Sequence, residues 1–555
     1  MTGSPADIAA PGTVASVLVG ALRAHGVSRV FCVAGESYLP VLDALYDAAD
    51  VDVVTCRHEG SAGFAAVADA KLTGVPGVCL VNRGPGATNA AIAVHAALQD
   101  AVPLLLIVGQ VESRELGREV FQEIDCVTTF ATLAKEVVRL YDPANTAELI
   151  ARALRTAVAG TPGPVVLEVP EDVFDAPAMP REAGPWPRHP VPPHADAMAE
   201  VSGMLAAARR PLLLAGGLLD TGRGRALLAE TAAVHGLPVV CGNKRQDLYP
   251  NRDARYAGHV HNSTKGEQRA ALESADLVLA VGSRLDDVTT LGHAFPTPAQ
   301  NLVHVYPDPV RLGRVHRPAI GLACDPAEFL AALAQAPAAV PESRVAWVER
   351  LHGIEAAKAV WTPVTASDGV VFGGVVAALD RLTGGDVVVT VDSGAFTSWV
   401  YRYLRLAGAG RLLGISSSAM GFGVPSALAA ALRLGRPAVA FVGDGGFVMN
   451  GGELATAVER HAPLVVVVAD NGSYGTIRLH QENRFPGRTV ATSLTNPDFA
   501  RLAEAYGATG LSVDTDAGIA PALAKALEDG GPVVVHVRTS LRHISAHRVL
   551  PEATA

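Results

Sequence analysis

Along most of this chain, short apolar runs alternate with longer stretches whose apolar positions recur at helical spacing. Runs at Val30–Ala34, Val51–Thr55, Gly77–Asn82, Pro103–Gly109 and Pro164–Val169 are mostly apolar. Such runs, separated by helix-patterned segments, predict a parallel sheet whose strands are buried on both faces. A Pro-rich stretch at 176–195 resists regular structure and reads as a linker. A second series follows at Arg210–Gly217, Leu237–Cys241, Ala275–Gly282 and Leu302–Tyr306. After a further linker at 336–344, a third appears at Val387–Val391, Ala438–Val442, Leu464–Ala469 and Val533–Val537. The expected class is α/β, with three doubly wound parallel-sheet domains over 1–180, 196–336 and 360–545. The first and third share an order that fits duplication.

The most specific chemistry lies between Val439 and Ser473, where an apolar run ends in Gly443-Asp444-Gly445, a helix-like segment follows, and a second run ends in Asp470-Asn471-Gly472. The spacing from Asp444 to Asn471 fits strand, crossover helix and parallel neighbour. Both oxygen-bearing side chains then meet at the carboxyl edge of a sheet, where open α/β sheets bind ligands. A carboxylate, an amide oxygen and a carbonyl near Ser473 suit a hard cation such as Mg²⁺, with phosphate and water as further ligands. Gly443, Gly445 and Gly446 let backbone amides approach a phosphate.

Composition narrows the alternatives. The chain has 555 residues, 49% hydrophobic and 18% charged, with a formal net charge of −10 and no dense basic block, which argues against nucleic acid. No apolar stretch approaches the ~20 residues of a membrane span. The N-terminus has no signal-peptide pattern, and six scattered cysteines lack CxxC spacing, so a cytoplasmic protein with buried free thiols is expected.

Gly443-Asp444-Gly445 followed by Asn471, and the run Tyr474-Gly475-Thr476-Ile477-Arg478, resemble the cofactor signature of thiamine diphosphate enzymes. Asn82-Arg83-Gly84-Pro85-Gly86-Ala87-Thr88-Asn89, and Gly109-Gln110-Val111 leading to Phe121-Gln122-Glu123, resemble the acetolactate synthase branch. The resemblance implies thiamine diphosphate and Mg²⁺, with Asp444, Asn471 and Ser473 at the metal. Gly394, Ala395 and Phe396 would lie at the diphosphate, together with Gly443, Gly445, Gly446, Tyr474 and Gly475. Ser418 and Met420 would support the bent cofactor, Ser418 through its carbonyl. Glu59 would share a proton with the aminopyrimidine ring, as a partly desolvated carboxyl can; its other reading is a helix N-terminal residue. Phe121 and Gln122 would face substrate. Relatives build this site from two subunits, which implies a homodimer or homotetramer with active sites at the subunit interface.

Three departures bear on the reaction. Glu36 adds a carboxyl where acetolactate synthases carry glycine, and pyruvate decarboxylase-type relatives use an acid there to protonate the carbon that lost CO₂. His480 stands where biosynthetic synthases carry Trp, and reads as a substrate-facing acid or base or as a plain helix residue. The acid that decarboxylases carry after their metal loop has no match in Ile477-Arg478. His95 is a further pocket candidate, or a satisfied helix histidine. Gly282-Ser283-Arg284-Leu285-Asp286-Asp287 is similar to a flavin-contacting stretch, while Gly258-His259-Val260-His261-Asn262 is altered, which leaves FAD open. The expectation is decarboxylation of a small-molecule 2-oxo acid with carboligation to an acceptor carbonyl. The alternatives are a decarboxylase releasing an aldehyde, or a silent cofactor-binding regulatory subunit.

Overall fold

The structure, a computed structural model, describes residues 12–179, 184–185, 189–261 and 264–550. Each expected segment carries one six-stranded parallel sheet flanked by helices. The first contains β1 (Arg29–Cys32), β2 (Asp52–Thr55), β3 (Gly77–Asn82), β4 (Leu104–Gln110), β5 (Glu136–Arg139) and β6 (Pro164–Pro170). Their spatial order is β2-β1-β3-β4-β6-β5.

The middle sheet contains β7 (Pro211–Ala215), β8 (Val239–Cys241), β9 (Tyr256–His259), β10 (Leu277–Val281), β11 (Asn301–Val305) and β12 (Ile320–Leu322). Its order is β9-β8-β7-β10-β11-β12, with one apolar cluster on each face.

The third contains β13 (Val388–Val391), β14 (Arg411–Leu413), β15 (Ala438–Gly443), β16 (Leu464–Asp470), β17 (Thr509–Val513) and β18 (Val533–Arg538). Its order, β14-β13-β15-β16-β18-β17, repeats that of the first sheet, as duplication would have it. In both, the strand order reverses beside the first strand, between β1 and β3 and between β13 and β15. A reversal opens a crevice beyond the carboxyl ends of the strands.

Several sequence expectations need correction. Strands β5, β9, β12, β14 and β17, all at sheet edges, were not anticipated. Gly258-His259, in the stretch read as an altered part of the flavin-contacting pattern, belongs to edge strand β9, and Asn262 lies outside the described residues. The linker at 176–195 contains Pro177–Ala178, paired antiparallel with Gly12–Thr13; parts of it also lie outside the described residues. The linker expected at 336–344 ends early, because the helix Glu342–Lys358 begins within it. Trp347 on that helix is buried and donates Nε1–H to the Pro211 carbonyl at 2.9 Å, which ties the helix to the middle sheet.

The chain packs as two compact units. One holds the first sheet with segments 424–435 and 449–462; the other holds the middle and third sheets.

Candidate active site

At the β13/β15 reversal the strand tips gather Asp392, Asp444 and Asn471. Gly443 pairs with Ala469 across β15 and β16, so the residues just beyond lie side by side. The backbone N–H of Ser473 is 3.1 Å from Asp444 Oδ2 and 3.1 Å from Asn471 Oδ1, so one donor draws both oxygens to the same point. The Ser473 hydroxyl is engaged elsewhere, donating to the Thr492 carbonyl at 2.9 Å. A cavity of about 250 Å³ opens here. Its wall brings together Gly394, Ala395, Phe396, Ser418, Met420, Gly443, Asp444, Gly445, Gly446, Asn471, Ser473, Tyr474 and Gly475. His480 is not among the lining residues; it is exposed on the helix Gly475–Arg484, whose Ile477 does line the cavity.

The electrostatics of this wall favour a cation and phosphates. Asp444 is 3% exposed, and burial pushes its carboxyl up to about 6, against hydrogen bonds from Asn496, Gly445 and Ser473 that work the other way. A buried carboxylate in that condition lacks a counter-charge. Among the described residues no group of three His, Cys, Asp or Glu is placed to hold a metal alone. A hard cation at Asp444 and Asn471 would therefore complete its shell with phosphate oxygens and water, the habit of Mg²⁺. The surrounding backbone has no room for side chains: a Cβ on Gly445 would fall 2.4 Å from Tyr474 Cε1, and one on Gly446 would fall 3.1 Å from Asp392 Oδ2. The residues present fit a magnesium diphosphate.

The first unit holds a second grouping. Glu59 opens the helix Glu59–Thr73, and Asn89 Nδ2 donates to its Oε2 at 2.9 Å. The turn entering this helix is fixed from afar, since the Arg57 backbone N–H donates to buried Glu453 Oε1 at 2.8 Å. At the β1/β3 reversal, Asn82 Oδ1 accepts from the Ser37 backbone N–H at 3.0 Å and from its hydroxyl at 2.6 Å, while Asn82 Nδ2 donates to Gln122 Oε1 at 3.2 Å. Arg83 Nη1 lies 3.2 Å from Glu36 and Nη2 lies 2.6 Å from Glu171. Arg83 and Gln122 both have positive φ, +39° and +64°, backbone strain of the kind that gathers at functional sites. Phe121 is 72% exposed rather than core. His95, half-buried on the helix Arg83–Asp100, makes none of these contacts.

Comparison with known proteins covers most of the chain. Residues 12–129, 198–333 and 392–537 match, in turn, the N-terminal TPP binding, central and C-terminal TPP binding domains of the thiamine pyrophosphate enzymes. The chain is 31% identical over 551 residues to the acetolactate synthase large subunit of Parasynechococcus marenigrum, covering 96% of this chain and 89% of that protein. It is also 31% identical over 529 residues to the acetolactate synthase isozyme 2 large subunit of Escherichia coli, covering 94% of each. The chain belongs to the thiamine pyrophosphate enzyme family, in its acetolactate synthase-like branch.

In this thiamine pyrophosphate enzyme, several residues around the two groupings escape sequence reasoning. Phe372, Trp399, His543 and Ile544 line the cavity from distant positions. Asn496 Nδ2 lies 2.8 Å from Asp444 Oδ2 and 2.8 Å from Asp470 Oδ1. Asn89 had one available signal, its place at the end of the Asn82–Asn89 run, but nothing in that run marked it as the partner of Glu59. In the middle sheet of the enzyme, a Cβ on Gly216 would lie 2.2 Å from the Ser283 backbone nitrogen and one on Gly217 would lie 2.8 Å from Arg245 Nε, so the close approach of neighbouring segments requires glycine at both positions.

Proposed function

We propose that this enzyme uses thiamine diphosphate and Mg²⁺ to decarboxylate a 2-oxo acid and join the remaining carbon unit to an acceptor carbonyl. The observation that carries the reading is the placement of Asp444 Oδ2 and Asn471 Oδ1 around the single N–H of Ser473, beside glycines with no space for side chains. Asp444 and Asn471 hold the cation, and the backbone around Gly394, Gly445 and Gly446 holds the diphosphate. Met420 and the Ser418 carbonyl support the aminopyrimidine end. Glu59, fixed by Asn89, exchanges a proton with the aminopyrimidine ring. When bound, the cofactor supplies a carbon nucleophile and an electron sink for loss of CO₂.

Phe121 and Gln122 face substrate. Glu36 lies against Arg83, whose Nη1 is 3.2 Å from its Oε1, and in this reading that pairing occupies the added carboxyl. The reading further takes the active form as a homodimer or homotetramer, with Glu59 of one subunit serving the cavity of another. Six buried, unbridged cysteines suit the cytoplasm.

Mass spectrometry of products from pyruvate, thiamine diphosphate and Mg²⁺, with and without a second oxo acid or an aldehyde, tests the reading. A carbon–carbon coupled product is expected; free acetaldehyde with CO₂ would make the enzyme a decarboxylase. No product from pyruvate or from larger oxo acids, with cofactor bound, would favour the silent subunit.

A further inference from the structure

The loop after β8 buries five consecutive polar residues, Asn243, Lys244, Arg245, Gln246 and Asp247, each 9% exposed or less. Asp247 is accounted for by Arg225 at 2.6 Å and Arg411 at 3.2 Å. Lys244 does something different: it leaves the middle sheet and reaches the segment that lines the cofactor cavity. Its Nζ donates to the Ile415 carbonyl at 2.7 Å and to the Ser418 hydroxyl at 2.9 Å. Its stem lies against Gly414, where a Cβ would sit 3.1 Å from Lys244 Cδ.

Both ends of this contact are strained. Lys244 has φ +57° and Ser418 has φ +51°, a region that non-glycine residues avoid. Such conformations persist only where the surroundings over-determine them. Beyond Ser418, Asp392 fixes the same segment from the opposite side, accepting from the Gly421 N–H at 3.0 Å and the Gly423 N–H at 3.1 Å. Met420, on the cavity wall, lies between the two clamps.

We propose that Lys244 is a positioning residue of the thiamine diphosphate site, holding the left-handed turn at Ser418 so that the Ser418 carbonyl and the Met420 side chain keep the shape the aminopyrimidine end requires. This rests on the cofactor assignment made above. Burial of an ammonium group with a long, rotamer-rich stem is costly, and pinning a strained active-site turn is a return that surface anchoring would not give.

The test is cofactor affinity, read by quenching of Trp399 fluorescence in the presence of Mg²⁺, for wild type, Lys244→Met, Ser418→Ala and Arg252→Ala. Arg252→Ala breaks another contact between the middle and third segments, the 3.0 Å pair of Arg252 with Asp380, neither of which lines the cavity. Lys244→Met is expected to raise the thiamine diphosphate Kd about tenfold and to lower kcat at saturating cofactor, the loss of charge-assisted hydrogen bonds, while Arg252→Ala stays within about twofold of wild type. Should Lys244→Met not fold, Ser418→Ala carries the test, with a rise of about threefold expected from the loss of one acceptor. Unchanged affinity in the deciding variant overturns the proposal, as does an equal loss in Arg252→Ala, which would make Lys244 a docking contact only. A wild-type protein that binds no thiamine diphosphate would overturn the cofactor assignment and this proposal together.

Discussion

Asn89 holds Glu59 by a single hydrogen bond, Nδ2 to Oε2 at 2.9 Å, and so fixes the direction in which the carboxylate leaves its helix. Glu59→Gln keeps the shape of the side chain but removes the exchangeable carboxyl proton. It is expected to bind thiamine diphosphate normally and to lose about 10²-fold or more in turnover. Asn89→Ala, which frees the carboxylate without deleting it, should lose less. Steady-state kinetics at saturating cofactor would settle the matter, and a Glu59→Gln enzyme turning over like wild type would remove Glu59 from the chemistry.

Asn496 offers one amide nitrogen to two carboxylates, Asp444 and Asp470, each at 2.8 Å. Burial disfavours charge on Asp470, yet His536, Asn496 and the Gly472 N–H hold its carboxyl below the usual range. Without Asn496 the two carboxylates lose their shared donor, and Asp444 Oδ2 keeps only the Ser473 N–H to hold its direction. Asn496→Ala should weaken Mg²⁺ by about 10- to 100-fold, as loss of a partner that orients a ligand does. Titrating Mg²⁺ against thiamine diphosphate binding provides the measurement. An unchanged midpoint would show that Asp444 needs no such restraint.

Acid should weaken the second unit through its buried histidines. The His259 and His261 rings stack with centroids 4.7 Å apart. Burial, with the charges of Lys358 and His547, pushes His261 down to about 3 from 6.5. The unfolded chain therefore takes up a proton near pH 6.5 that the folded chain refuses until about pH 3. The contribution to stability is complete above pH 6.5 and falls as pH drops towards 3. By pH 5 it has fallen by about 2 kcal/mol. His261→Gln should flatten the acid limb by that amount in urea unfolding at a series of pH values; parallel curves for the two proteins would refute the assignment.

The interior strands were legible because both of their faces are buried: Leu464–Asp470, reading LVVVVAD, leaves no polar alternation to confuse. Edge strands such as Glu136–Arg139 and Thr509–Val513 are short and half exposed, so their sequences carry no comparable run. Of the candidate site, the glycines and oxygen-bearing residues at the tips of β15 and β16 could be read, because strand order alone brings them together. Asn496, Asn89, Lys244 and His543 could not, since folding delivers each from another element and no local pattern announces it. His480, singled out by resemblance to relatives, is exposed on the helix Gly475–Arg484.

Arg83 and Asp444 occupy the same slot in two copies of one strand order, each opening the helix that follows the third strand of its sheet. The slots carry opposite charge. In the first, the guanidinium is neutralised within its own chain by Glu36 and Glu171, so that half is electrically complete once folded. In the third, the carboxylate is left short of a positive partner. Two halves with one strand order thus differ in charge balance, and if a divalent ion supplies the missing charge, its depletion is expected to leave the former intact while unsettling the latter.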